Sequence, residues 1–76
     1  MTPVLVPQLG NEITEAEVTE WLKAAGDAVE QGEPIVTITT TKMALDIEAP
    51  EPGTLSRIVA EEGEVVEVGA VLGEIG

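Results

Sequence analysis

Hydrophobic residues along this chain come in short β-branched runs with a period of two, broken by glycine or proline about every eight to twelve residues. The runs are Val4 to Gln8, Glu17 to Ala24, Ala28-Val29, Ile35 to Thr40, Met43 to Ala49, Thr54 to Ala60, Val65-Val66 and Val71 to Ile75. Branched side chains are stiff and pack well on a pleated surface, so each run predicts a strand. Between them, Gly26-Asp27, Gly32-Glu33-Pro34, Pro50-Glu51-Pro52-Gly53, Gly63-Glu64 and Gly69-Ala70 supply the positive or fixed φ that reversals need. Only Leu9 to Glu15 reads as a longer connection. Thr14 followed by Glu17 has the spacing of a capping box, which would start a helix over Glu12 to Ala25. Val18, Thr19 and Trp21 favour a strand there instead.

The pattern also repeats. Val18 to Ile38 can be laid over Leu55 to Ile75, an offset of 37 residues. Gly26, Val29, Glu30, Gly32 and Ile38 coincide with Gly63, Val66, Glu67, Gly69 and Ile75, while Val18/Leu55, Trp21/Ile58, Asp27/Glu64 and Ile35/Leu72 match in character. Each half has too few strands to bury its own apolar face. The expected fold is therefore all-β: a flattened barrel-sandwich hybrid of two antiparallel sheets, about four strands each, with internal pseudo-twofold symmetry. Carried backwards, the same offset sets Lys42 against Leu5 and puts the Lys42 hairpin at the end of the domain remote from the chain termini.

Between the two repeated segments, Met43, Leu45, Ile47 and Ala49 alternate with Ala44, Asp46 and Glu48, predicting one face inward and one in water. Val36 and Ile38 do the same on the incoming strand. Thr40, Thr41, Lys42 and Met43 are left to make a tight hairpin, so Lys42 is expected to project into solvent. Lys23, whose repeat partner is Ala60, reads as a solvated strand position. A lysine at a hairpin tip is commonly only a solubilising residue; it is also a good place to attach an arm through an amide bond.

Composition narrows the chemistry. The chain has 76 residues, room for one small core, and 43% of them are hydrophobic with Trp21 the only aromatic, which is expected in that core. Fifteen acidic residues against three basic ones give a net charge of −12, which excludes nucleic-acid binding and repels anionic membranes. There is no cysteine and no histidine, so disulfides, thiolate chemistry and the usual metal and acid–base designs are absent. Glu12, Glu15 and Glu17, or Glu61, Glu62 and Glu64, lack calcium-loop spacing and read as solvated faces; no metal site is expected. Thr39, Thr40 and Thr41 have no neighbouring base and read as strand and turn formers. Met1 leads straight into a strand-like segment, so a soluble, unprocessed chain is expected, and Met1 suggests a natural N-terminal domain, either free-standing or part of a multidomain parent.

The segments "VPQLGNEITEAEV", "WLKAAGDAVEQGEPIVTI", "TTTKMALDIEAP" and "GTLSRIVAEEGEVVEVGAVLGEI" together resemble, over essentially all 76 residues, a lipoyl domain of the biotinyl/lipoyl carrier family, as found in the acyltransferase components of 2-oxo acid dehydrogenase complexes. In that family the hairpin usually reads Glu-Thr-Asp-Lys, and its lysine carries lipoic acid. Here the lysine is Lys42, flanked by Thr41 and Met43. Thr39 stands where Glu is usual, Thr41 where Asp is usual, and Ala16 where Gly is common. Met43 after the lysine resembles biotinyl carrier domains, which usually have Met on both sides and generally lack the long first connection. An aspartate at 41 would hydrogen-bond the turn backbone, and a threonine there is expected to do so more weakly.

The resemblance implies a single lipoyl-type carrier domain over residues 1–76 that is not an enzyme by itself. It implies covalent lipoic acid on Lys42, whose swinging arm moves acyl groups and reducing equivalents. The implied partners are a lipoate-attaching ligase or transferase, a thiamine-dependent 2-oxo acid dehydrogenase, an acyltransferase core and dihydrolipoamide dehydrogenase. The implied compartment is the cytoplasm, or the mitochondrial matrix of a eukaryote. Two other readings stand beside it: a biotinyl carrier domain of a carboxylase, and an unmodified protein-interaction module.

Overall fold

The computed structural model describes residues 2–10 and 12–76; Met1, read above as opening an N-terminal domain, and Asn11 lie outside the described residues. Eight strands follow in order: β1 (Thr2–Leu5), β2 (Glu15–Trp21), β3 (Ala28–Val29), β4 (Pro34–Thr39), β5 (Ala44–Glu48), β6 (Gly53–Ile58), β7 (Val65–Glu67) and β8 (Val71–Ile75). No helix occurs among the described residues, so the capping-box reading of Thr14 and Glu17 gives way to a strand. Two four-stranded antiparallel sheets form, in the orders β1-β8-β6-β3 and β5-β4-β2-β7. Their facing residues make the core, with Val4, Val18, Ile38, Leu55, Leu72 and Ile75 almost fully buried and no buried polar or charged side chain among the described residues. Each such aliphatic side chain stabilises the fold by about 1.5–3 kcal/mol relative to exposure.

The repeat is carried into three dimensions by hydrogen bonds. The N–H of Gly26 donates to the Leu55 carbonyl at 2.7 Å, and the N–H of Gly63 donates to the Val18 carbonyl at 2.8 Å. The Asp27 carboxylate accepts from the Ala24 N–H and the Glu64 carboxylate from the Glu61 N–H, both at 2.9 Å. These acids therefore close matching turns, and Gly26 (φ 96°) and Gly63 (φ 90°) take the left-handed third position of each at no Cβ cost. The turns draw in the residues after Trp21 and Ile58, which is why β2 and β6 stop short of Ala24 and Ala60. Bulges match too, at Val18/Glu20 against β4 and at Leu55/Arg57 against β8. A further bulge between Pro34 and Val36 lets the consecutive Ile35 and Val36 both turn inward.

The outer strands β1 and β5 do not keep the offset of 37. Val4 lies opposite Gly73 and Ile47 opposite Val36, and Val36 and Gly73 are repeat partners, so Val4 is the counterpart of Ile47. Residues 6–14 join β1 to β2, whereas only residues 49–52 join β5 to β6, and the difference lengthens the offset. Lys42 is thus not the counterpart of Leu5. The placement of the hairpin holds on other grounds. Thr2 pairs with Ile75, and its hydroxyl donates to the Glu51 carboxylate, so both ends of the described chain sit by the turn after β5, at the far end of that strand from Lys42. β1 itself ends at Leu5, not Gln8: Val6 instead exchanges hydrogen bonds with Gly69 and Ala70, and Pro7 has no N–H to extend the ladder.

The halves also differ where Trp21 replaces Ile58. Its ring packs against the core half-buried, with Nε1–H donating to the Ala60 carbonyl at 2.7 Å. Space for it comes from Gly73, the partner of Val36, where an added Cβ would stand 3.1 Å from Trp21 Cη2.

Candidate functional site

β4 and β5 are joined by Thr40, Thr41, Lys42 and Met43, beyond the last ladder pair of Thr39 with Ala44. The Thr40 N–H donates to the Met43 carbonyl at 2.7 Å. The return bond runs to a side chain: the Met43 N–H donates to Thr40 Oγ1 at 3.0 Å, and the Lys42 N–H donates to the same oxygen at 3.2 Å. The hydroxyl in turn donates to the Met43 carbonyl at 3.1 Å. Thr41, Lys42 and Met43 are all exposed.

Two expectations change here. Met43 was expected at the start of the inward face of β5; it is 49% exposed, because its N–H and carbonyl are committed to Thr40 across the turn and it sits outside the ladder. The inward face starts at half-buried Leu45 and continues with Ile47 and Ala49. The turn backbone, expected to be served weakly by Thr41, is served by Thr40 one residue earlier. Sequence reasoning missed Thr40 as a site residue. Its signal was a hydroxyl side chain at the first position of a reversal, where a bond to the amides two and three residues on is sterically available.

The long first connection lies against the same end of the molecule. Gly10, Glu12 and Ile13 line a shallow groove with Lys42, and Glu12, Ile13, Thr14 and Glu15 line another with Thr41. The connection is tied down by the Val68 N–H, which donates to the Thr14 carbonyl at 3.0 Å. Glu12, Glu15 and Glu17 are exposed, and no cluster able to hold a metal ion occurs among the described residues.

The three cationic side chains differ in their surroundings. Lys23 Nζ lies 3.1 Å from the Glu33 carboxylate, an ion pair rather than the solvated position expected, and Arg57 Nε lies 3.6 Å from that of Glu74. The N–H of Glu30, at 3.0 Å, and then Lys23 hold the Glu33 carboxyl below its ordinary value. Among the described residues Lys42 forms no ion pair. The site thus offers one exposed primary amine on a hydrogen-bonded turn, with no histidine or cysteine anywhere in the chain to do chemistry beside it. Such an amine can be acylated by an enzyme that brings its own activated carboxyl group.

Comparison with known proteins agrees with this geometry. The biotin/lipoyl family model, described as "Biotin-requiring enzyme", matches residues 2–75. The chain is 45% identical over 75 residues to the dihydrolipoyllysine-residue acetyltransferase component of the pyruvate dehydrogenase complex of Corynebacterium glutamicum, covering 99% of this chain and 11% of that protein. It is 42% identical over 76 residues to the dihydrolipoyllysine-residue succinyltransferase component of the 2-oxoglutarate dehydrogenase complex of Staphylococcus saprophyticus, covering 100% of this chain and 18% of that one. The chain therefore spans only a small part of these relatives. Among solved structures, the lipoyl domain of the 2-oxoglutarate dehydrogenase complex from Azotobacter vinelandii superposes with a TM-score of 0.80 at 32% identity, covering 100% of this chain and 96% of that one.

Proposed function

The chain belongs to the biotin/lipoyl attachment family, as a lipoyl domain of the acyltransferase type, and from that premise we propose that Lys42 is the residue that carries its lipoyl group. The family implies a covalently attached lipoic acid, and the residues present suit one. The observation that carries the assignment is the hairpin itself: an exposed lysine without an ion pair among the described residues, on a closed turn at the end of β4 and β5 remote from both ends of the described chain. An arm tethered there can sweep far from whatever the termini are joined to.

Attachment forms an amide between Lys42 Nζ and the lipoyl carboxyl carbon; the bond from that carbon to the activating group breaks, the activating group leaves with its electron pair, and the amine gives up a proton to the attaching enzyme's base. One of the chain's three positive side chains is thereby neutralised. When bound, the dithiolane supplies the acyl-accepting and electron-carrying chemistry, and the protein is a carrier, not a catalyst. The partners proposed are a lipoate ligase or transferase, a thiamine-dependent 2-oxo acid dehydrogenase, an acyltransferase core and dihydrolipoamide dehydrogenase. The net charge of −12 favours basic patches on them, with the first connection and the Lys42 turn as contact regions.

The test is intact-mass measurement after expression with both lipoate and biotin ligases. The wild-type chain is expected to gain one lipoyl increment and Lys42→Ala none. A biotin increment, or a modified Lys42→Ala chain, overturns the assignment.

A further inference from the structure

Building on the reading of Lys42 as the attachment residue, we infer that Thr40 is the positioning residue for that modification: its hydroxyl, rather than the backbone alone, holds the turn in the shape the attaching enzyme acts on. A hydroxyl has one hydrogen to donate and two lone pairs to accept with. Thr40 uses all three, and every partner is a backbone group of Lys42 or Met43, the lysine itself and the residue after it.

Nothing else in the reversal does this work. Favoured two-residue hairpins take positive φ at one or both central residues, which matches the twist of the strands. Here neither Thr41 nor Lys42 is glycine, and no non-glycine residue has positive φ among the described residues. Thr40 and Met43 are joined through their backbones by the Thr40 N–H to Met43 carbonyl bond, and the amides of Lys42 and Met43 turn to the hydroxyl. Nor is the turn held from below, since Thr41, Lys42 and Met43 are exposed.

The neighbouring threonines are not equivalent. The Thr39 hydroxyl bonds that of Thr19 on β2, and Thr41 borders the groove against the first connection. Of the three consecutive threonines, only Thr40 grips the backbone around the lysine.

The experiment follows lipoate-ligase kinetics on the 76-residue chain and its Thr40→Val, Thr40→Ser and Thr54→Val variants, each first shown to unfold cooperatively in urea. Thr40→Val keeps the shape and loses the hydroxyl, and it is expected to lower kcat/KM for lipoylation about ten-fold, as a reacting group displaced by a fraction of an ångström does. Thr40→Ser restores the rate, and Thr54→Val, at an exposed threonine of β6 away from the turn, stays within about two-fold of wild type. In amide hydrogen exchange, Lys42 and Met43 lose protection in Thr40→Val while β2 and β4 keep theirs. A Thr40→Val chain modified as fast as wild type, a Thr40→Ser chain as slow as Thr40→Val, or unchanged protection at Lys42 and Met43 overturns the role. A wild-type chain that takes no lipoyl group defeats the assignment of Lys42 itself, and the role falls with it.

Discussion

Replacing Gly73 with alanine tests how the two halves were fitted together. Gly73 occupies on β8 the place that Val36 occupies on β4, and both are buried. A Cβ at Gly73 would stand 2.8 Å from the backbone oxygen of Arg57 and 3.1 Å from Trp21 Cη2. The first contact is the graver, because Arg57 belongs to β6, the ladder neighbour of β8, and its carbonyl cannot move without the strand. Overpacking of this kind costs about 1–3 kcal/mol. Against it stands about 0.4–1 kcal/mol from the reduced freedom of the unfolded chain when glycine becomes alanine. A net loss of about 1–2 kcal/mol is expected, which at an m-value of about 1 kcal/mol/M lowers the urea midpoint by about 1–2 M. Trp21, the only aromatic residue, reports the transition by fluorescence. Repeating the substitution in a Trp21→Leu background, followed by circular dichroism, separates the two contacts. Because the backbone contact is the shorter, most of the cost should persist there. A Gly73→Ala midpoint at or above that of wild type would refute the reasoning.

Two further outcomes are expected. The Glu33 carboxyl, held below its ordinary value of 4.5 by the Glu30 N–H and by Lys23, resists protonation in the folded chain, so the unfolded chain takes up the proton first. Its stabilising effect is complete above that pH and fades as the pH falls below it. The stability difference between wild type and Glu33→Gln should therefore shrink between pH 6 and pH 3; a difference constant over that interval, read by urea denaturation, speaks against it. For Thr41→Asp, the turn amides that an aspartate would accept from are already bonded to Thr40. Stability should stay within about 0.5 kcal/mol of wild type and lipoylation should be no slower; a slower Asp variant in ligase assays contradicts this.

Much of the candidate site was readable from the chain alone. Period-two alternation on either side of Thr40 to Met43 leaves only a tight reversal between two strands, so Lys42 had to be at its tip. The matched Gly26/Gly63 and Asp27/Glu64 pairs showed two halves built alike, since backbone twist and turn closure are local requirements that a few neighbouring residues satisfy. Hence the all-β fold, the strand count and the place of the lysine follow from pattern.

What the pattern could not decide depends on contacts between residues far apart, or on which of several hydroxyls points where. Val4 proved the counterpart of Ile47 because ladder register, not sequence spacing, sets equivalence when connecting loops differ in length. Gly73 reads as one more position of the last strand until Trp21 is seen filling its space across the core. Thr39, Thr40 and Thr41 are alike in sequence, yet the Thr39 hydroxyl meets β2, the Thr40 hydroxyl meets the lysine turn, and Thr41 borders the groove against the first connection. Only the folded hairpin distinguishes them, because a hydroxyl's partner is selected by distances of a few ångströms that residue type does not encode.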